Sequence, residues 1–483
     1  MKITILIPPV LDKTAAVDRC FGCNYSIYFL PLLPALYIGT ILKSLVESVE
    51  IIDFPAQKKN EKDFREFLKK DNSGVYIFYT VFLSQQTDLM ARSIIRMLCP
   101  NARFIFTGPQ ASFAPESFLD QSDTFAVRGE PEFIVKDLVN SIKAGMQPIE
   151  IKGVSFLNEG KIIHNPASPV IANLDDIPLP DRSLLDHRPY YNPKLQGMPQ
   201  TGMLTSRGCF GQCWFCVPNS LSYARELEYK KMHGVKPPGR VYSAQRVIAE
   251  FKDIRDRGFK AVSIIDDQFI WDEKRTLEIC RGITGFGIAW SCLCRPEKIT
   301  DEVACAMKKA GCVYVDMGTE SLDQDVLLAI KKDMTPSDTQ RAVEILKRND
   351  IEVEINVLLG ASDKETEGTI KRTIAQVKKL DADYVLFSIA NPFPGTDFYE
   401  AAKSRGWLVY GKYVPVDPAK NSIISYPHLS KKKLESLCAY AYLSYYFTPR
   451  YIARQLCRVK SFADFFNKAS TAIRFFFKNF LTP

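Results

Sequence analysis

Short apolar runs alternate with amphipathic ones along the first 150 residues. Lys2-Ile-Thr-Ile-Leu-Ile-Pro8 reads as an apolar strand, and Ala35 to Val46 carries helical spacing. Val49 to Asp53, Val75 to Thr80, Ala102 to Thr107 and Thr124 to Arg128 read as further strands, with helices such as Asp88 to Leu98 between them. Strands alternating with helices imply a doubly wound parallel sheet whose ligands sit at the carboxyl ends of the strands. Gly108 and Gly129 each follow a strand directly, which suits loops that approach a phosphate or a planar ring. A second series of strands and helices runs from about residue 196 to 410, after a linker at 151–195 and before a final region at 411–483.

Composition permits a large enzyme. The chain has 483 residues, 46% hydrophobic and 24% charged, enough for two cores and a third small one. Phe21 to Leu42 carries no charge, but Pro31, Pro34 and Gly39 interrupt it and no basic region precedes it. It is expected to be a loop after the first strand followed by a buried helix, with a signal anchor as the alternative. Thirteen cysteines without a signal peptide point to a reducing, cytoplasmic setting in which thiols serve metals rather than disulfides.

Candidate chemistry concentrates in Thr205-Ser-Arg-Gly-Cys-Phe-Gly-Gln-Cys-Trp-Phe-Cys-Val-Pro-Asn219. Cys209, Cys213 and Cys216 form a C-x3-C-x2-C triad with no fourth cysteine in step. Three thiolates can hold three irons of a [4Fe–4S] cluster, whereas a cluster fully ligated by protein takes four. The remaining iron is then open to bind and activate another molecule. Zinc would ordinarily require a second pair of ligands, and none stands nearby.

The triad resembles the cluster loop of the radical SAM superfamily. There S-adenosylmethionine chelates the open iron, and Phe215 would lie against the adenine. Later segments resemble the same superfamily in order. Ala261-Val-Ser-Ile-Ile-Asp-Asp-Gln-Phe269 offers Asp266 or Asp267 to the ammonium of S-adenosylmethionine, although acids at that place also suit a helix cap. Arg295 follows the strand-like Trp290-Ser-Cys-Leu-Cys294, and Glu320 ends another, where the resemblance implies contact with the nucleoside or methionine part. Gly360 would let adenine approach the backbone. The implied fold for 196–410 is a partial (β/α)6 TIM-type barrel. Such barrels gather their sites at the carboxyl ends of the strands.

The amino-terminal segments Pro31-Leu-Leu-Pro-Ala-Leu-Tyr-Ile-Gly39, Phe106-Thr-Gly-Pro-Gln-Ala-Ser112 and Val127-Arg-Gly-Glu-Pro-Glu132 resemble the cobalamin-binding domain ahead of many radical SAM cores, as does the linker Leu174 to Asp181. The resemblance implies cobalamin as a cofactor, with Thr80, Gly108 and Gly129 as its contacts. One departure matters. The histidines are His164, His187, His233 and His428, so residues 1–150 offer no lower axial ligand. Any cobalamin would bind without one. Cys20 and Cys23 form a lone C-x2-C and, like Cys99, read as plain reduced thiols; Cys292 and Cys294 read as packing.

From Lys431 onward ten Lys or Arg residues face only Glu435 and Asp464, an excess equal to the +8 net charge of the whole chain. Aromatics from Tyr440 to Phe477 are interleaved with them. The expectation is a small helical cap, with a basic surface for anionic lipid as the alternative. Taken together, the resemblance implies reductive cleavage of S-adenosylmethionine and cobalamin-dependent C-methylation of a small-molecule or lipid-like substrate, with a flavodoxin- or ferredoxin-type electron donor. Radical cyclisation or oxidation of a tetrapyrrole or lipid is the alternative. Methylthiolation of transfer RNA is disfavoured, because the amino-terminal cysteines do not match a second cluster, and nucleic acid is disfavoured as a partner with it.

Overall fold

The structure is a computed structural model and describes residues 1–457. Its amino-terminal sheet contains β1 (Lys2–Ile7), β2 (Ser48–Asp53), β3 (Val75–Tyr79), β4 (Arg103–Thr107), β5 (Thr124–Val127), β6 (Val154–Asn158) and β7 (Lys161–His164), in the order β2-β1-β3-β4-β5-β6-β7. β1 to β5 run parallel. Helices α1 (Leu33–Leu42), α2 (Glu61–Leu68), α3 (Gln85–Leu98), α4 (Pro109–Phe113) and α5 (Pro131–Lys143) connect them or follow the last. Phe64, Phe78, Phe104, Phe106 and Phe118 are fully buried in one core beside this sheet. The chain reverses direction across the sheet between β1 and β3, and open parallel sheets bind ligands at such a switch point. The uncharged stretch expected to hold a buried helix does so: α1 exposes almost none of its surface. Among the described residues no helix is long and apolar enough to cross a membrane.

The sheet extends further than the sequence suggests. β6 and β7 form an antiparallel hairpin on its edge, within residues expected to be linker. The outer strand Lys161–His164 is largely exposed, so it has no apolar run to betray it.

Beyond the true linker come β8 (Gln200–Met203), β9 (Ser206–Arg207), α6 (Ser220–His233), β10 (Arg240–Val241), α7 (Ala244–Asp256), β11 (Ala261–Ile264), α8 (Glu273–Ile283) and β12 (Ala289–Cys294). β11 pairs in parallel with both β8 and β12, while β9 and β10 form a short antiparallel ribbon. Next are α9 (Asp301–Lys309), β13 (Cys312–Glu320), α10 (Gln324–Ala329), α11 (Pro336–Arg348), β14 (Glu352–Leu359), α12 (Glu367–Leu380), β15 (Tyr384–Ile389) and α13 (Asp397–Ser404). β14 pairs in parallel with β13 and β15. The strands β8, β11, β12, β13, β14 and β15 with their helices supply the six units of the expected partial barrel.

By compactness the chain divides into two units. One holds Met1–Phe210, Val217–Leu293 and Ala306–Val313; the other holds Gly211–Cys216, Cys294–Cys305 and the chain from Tyr314. In the second unit, α14 (Lys431–Tyr446) forms the helical cap. Tyr442 and Tyr445 donate to the carbonyls of Phe387 and Ala382, each at 2.6 Å. Tyr446 both accepts from the N–H and donates to the C=O of Val385, satisfying strand groups that an edge would leave open. α15 (Pro449–Cys457) is fixed to the turn after α12 through Arg454 and Asp381 at 2.7 Å. The rest of the basic aromatic tail, from residue 458, lies outside the described residues.

Candidate active site

The cysteine loop is held by carboxylates at its flanks. Asp266 and Asp267 follow β11. Asp266 accepts the N–H of Thr205 at 2.6 Å, the Thr205 hydroxyl and the N–H of Ser206 at 3.2 Å. Asp267 accepts the N–H of Gly208 at 3.0 Å and that of Asn219. Asn219 in turn caps α6 by accepting from Ser222 at 3.0 Å. Burial raises each carboxyl, to about 6, against the pull of these donors. The two acids expected to meet S-adenosylmethionine thus anchor both ends of the cysteine loop. Cys209 lies in the first unit; Cys213 and Cys216 lie in the second.

Within the second unit, Trp214 fastens the middle of the loop. Its N–H donates to Ile330 at 3.2 Å, and its ring N–H donates to Ala361 at 2.9 Å. Its carbonyl accepts from Phe398 at 3.0 Å, and the two rings pack 5.1 Å apart. Cys213 is buried, while Cys209, Cys216 and Phe215 are half-buried. None of the thirteen cysteines is in a disulfide. Among the described residues no three His, Cys, Asp or Glu side chains gather as ligands of one metal ion. A cubane does not ask for that, since each thiolate binds a different iron. Three cysteines on one anchored loop, none of them in a disulfide, are a donor set that fits a cluster with one open iron.

Glu320 closes β13 with a left-handed φ of 64° beside a register irregularity at Gly318. Its carboxylate meets Lys332 at 3.0 Å, both side chains being largely buried. Burial pulls the Lys332 ammonium down, but Glu320 outweighs it and the net shift is upward. A Cβ on Gly318 would come within 2.8 Å of the Glu320 carboxylate and 3.1 Å of the Lys332 ammonium, so glycine there makes room for the pair. Arg295 donates to the Asp333 carbonyl at 3.0 Å and pairs with Glu297. It is therefore brought to the segment that carries Lys332. Gly360 also has positive φ, and a Cβ there would meet Leu434 of α14 at 2.9 Å. The described contact that requires glycine at 360 is with the cap.

In the amino-terminal sheet, Thr80 is fully buried and its polar groups turn inward. Its hydroxyl donates to Asp88 at 2.8 Å, where Arg19 also binds at 2.7 Å. A Cβ on Gly108 would lie 2.7 Å from the Thr80 carbonyl, and the N–H of Gly129 donates to Ser112 at 2.9 Å. A narrow cleft of about 30 Å³ opens beside the ends of β1 and β2, lined by Pro8, Asp18, Arg19, Phe29, Asp53 and Thr87. Cys20 and Cys23 are held as thiols: burial pushes Cys20 well up and Cys23 to about 12.

The helix α6, which leaves the cysteine loop, lies across this end of the same unit. Lys231 donates to the carbonyls of Ser112 at 2.6 Å and Phe113 at 2.9 Å, and Glu228 faces Arg128 at 3.5 Å. Four buried polar atoms here have no hydrogen-bond partner among the described residues: Thr107 Oγ1, Gln110 Oε1, Arg128 Nε and Glu228 Oε2. Buried polar groups are rarely left so. A ligand rich in amides, which both donate and accept, would satisfy this set, as cobalamin's periphery does. Of the histidines in this unit, His164 bonds Ser155 at 2.9 Å, His187 bonds the Arg182 carbonyl at 3.1 Å, and His233 packs against Tyr229 with tilted rings 4.2 Å apart.

A buried ion network joins the sheet to the strand before the cysteines. Arg207 on β9 is wholly buried and reaches Glu130 at 2.9 Å and Glu132 at 2.5 Å. Arg240 also binds Glu130. Burial would raise the Glu130 carboxyl, but the two guanidinium groups hold it down at about 2.

Comparison with known proteins bears on this arrangement. Residues 203–374 match the family model of the Radical SAM superfamily. That match contains all three cysteines, Asp266, Asp267, Glu320, Lys332 and Gly360. The chain carries a radical SAM domain. It is 29% identical to an uncharacterized methyltransferase of Pyrococcus horikoshii, over 94% of this chain and 95% of that one. It is 24% identical to an anaerobic magnesium-protoporphyrin IX monomethyl ester cyclase of Cereibacter sphaeroides, over 76% of this chain and 58% of that one. Its fold is similar to that of TsrM, a radical S-adenosylmethionine methyltransferase of Kitasatospora setae. In the structure of TsrM with cobalamin and a [4Fe-4S] cluster bound, the TM-score is 0.63 at 17% identity, covering 84% of this chain and 75% of that one.

Three residues of the radical SAM domain escape sequence reasoning. Trp214 sits inside the motif, yet its anchoring role depends on Ala361 and Phe398, far along the chain. Lys332 stands in an ordinary basic pair, Lys331-Lys332, and only burial separates the two. Arg225 stands among the charged residues of α6, and only its burial, at 3% exposed, sets it apart.

Proposed function

We propose that this radical SAM enzyme carries out cobalamin-dependent C-methylation of an unactivated carbon in a small-molecule or lipid-like substrate. Cys209, Cys213 and Cys216 would hold the cluster. Glu320, Lys332 and Arg295 would meet the polar parts of S-adenosylmethionine. The carboxyl end of the amino-terminal sheet, covered by α6, would hold cobalamin without a histidine. When bound, these groups supply an electron for cleavage of S-adenosylmethionine to methionine and a 5′-deoxyadenosyl radical, and a methyl group for the substrate radical. The chain's own part is to fix the loop, through Asp266, Asp267 and Trp214, and to exclude water from it.

The observation that carries the reading is the tie between the cysteine loop and the amino-terminal sheet. Arg207, two residues before Cys209, is buried against Glu130 and Glu132 of the segment that resembles a cobalamin domain. A flavodoxin- or ferredoxin-type donor and a cytoplasmic location belong to the same proposal. Cyclisation or oxidation without methyl transfer is the second reading, supported by the similarity to the cyclase.

Anaerobic turnover with methyl-labelled S-adenosylmethionine and candidate substrates separates the two. Methylation predicts label in the product together with 5′-deoxyadenosine. Cyclisation predicts 5′-deoxyadenosine and an unlabelled product.

A further inference from the structure

Arg225 is a buried cation with no hydrogen-bond acceptor for its Nε and Nη1 among the described residues. It lies on α6, nine residues after Cys216, and is 3% exposed. Its Nη2 lies 2.6 Å from where a Cβ on Gly208 would stand, so glycine at 208 lets the guanidinium lie alongside the chain immediately before Cys209. The neighbouring acids are otherwise engaged. Glu130 and Glu132 hydrogen-bond Arg207, Glu130 also takes Arg240, and Asp267 accepts the N–H groups of Gly208 and Asn219. Burial lowers the Arg225 guanidinium to about 10, and the cations Arg240 and Arg207 add to this against Glu130 and Asp267. A buried guanidinium left in this state is costly, because desolvation is not offset by hydrogen bonds.

An anion beside Gly208 would relieve that cost. A [4Fe–4S] core bearing three thiolates is negatively charged and gains one more negative charge on reduction. We propose that Arg225 is a positioning and tuning residue whose positive charge, held beside Gly208–Cys209, favours the reduced form of the cluster. The electron comes from an external low-potential donor of flavodoxin or ferredoxin type. Arg225 neither gains nor loses a proton in the step. The inference rests on the proposed cluster assignment.

The test compares wild type, Arg225→Met and Arg225→Lys in the full chain. First, the thermal midpoint of each is measured without iron. Loss of an uncompensated buried charge should leave the Arg225→Met apoprotein at least as stable as wild type; an apoprotein that melts earlier or fails to fold would assign Arg225 a structural role and overturn the proposal. Second, the iron- and sulfide-loaded proteins are titrated with reductant and followed by electron paramagnetic resonance. Arg225→Met should shift the oxidised-to-reduced ratio at fixed potential at least tenfold toward the oxidised form, a fall of 59 mV or more for one electron. Arg225→Lys should stay near wild type. An unchanged potential in loaded Arg225→Met would overturn the proposal, as would failure of that variant to take up iron when wild type does. Failure of wild type to take up iron would instead remove the cluster assignment beneath it.

Discussion

Asp267 accepts the N–H of Gly208 at 3.0 Å, and the same carboxylate accepts the N–H of Asn219 on the far side of the three cysteines. One buried acid therefore closes the loop as a clasp. Asp267→Asn keeps one acceptor oxygen but turns an amide NH₂ toward a backbone donor. The expected cost is about 1–3 kcal/mol for the donor left unpaired. Reconstituted Asp267→Asn should retain less iron than wild type after desalting, with the chain still folded by circular dichroism. Full iron retention would show that the clasp is dispensable.

The Glu320–Lys332 pair makes a second prediction. Removing one member of a buried ion pair leaves an uncompensated charge, at a cost of about 3–5 kcal/mol. Lys332→Met should lower the urea midpoint markedly, and Glu320→Gln in the same chain should recover part of the loss. Equal, additive losses in the two single variants would mean that the charges do not act together. Binding of S-adenosylmethionine, measured on the loaded double variant, should fall with both charges gone.

His187 sets an acid limit on the first unit. Burial, and then the Arg182 cation, lower its imidazole to about 4 from an ordinary value near 6.5. The unfolded chain thus binds a proton between these values that the native protein refuses. The contribution to stability is fully present above pH 6.5 and is lost as pH falls toward 4, with a slope of at most about 1.4 kcal/mol per pH unit. Urea melts at pH 7.5 and pH 5 should show a smaller loss in His187→Phe than in wild type. Equal losses would place the acid sensitivity elsewhere.

Cobalamin, if held as proposed, has no histidine beneath it. Electron paramagnetic resonance of the Co(II) form should lack the nitrogen splitting of an axial imidazole. A nitrogen triplet would contradict the assignment.

Much of the fold was legible because parallel strands buried on both faces announce themselves as apolar runs. β1 to β5, β11 and β12 overlap those runs. The hairpin β6–β7 was not legible, since an exposed outer strand needs no apolar pattern. The cysteine triad was legible because its chemistry is set by spacing within eight residues. Arg225, Lys332 and Trp214 were not, because their roles depend on burial and on partners tens to hundreds of residues away. Asp266 and Asp267 were found as paired acids at a strand end. Their engagement with the backbone of the cysteine loop became visible only in three dimensions.

The most direct measurement of the central claim is 5′-deoxyadenosine formation by the reduced, iron-loaded protein and by Cys209→Ala, Cys213→Ala and Cys216→Ala, with iron and sulfide assayed alongside. Each variant has two of three thiolates, so cleavage of S-adenosylmethionine should be abolished in all three while wild type produces 5′-deoxyadenosine. Full cleavage activity in any one variant, or none in loaded wild type, would contradict the assignment of these cysteines.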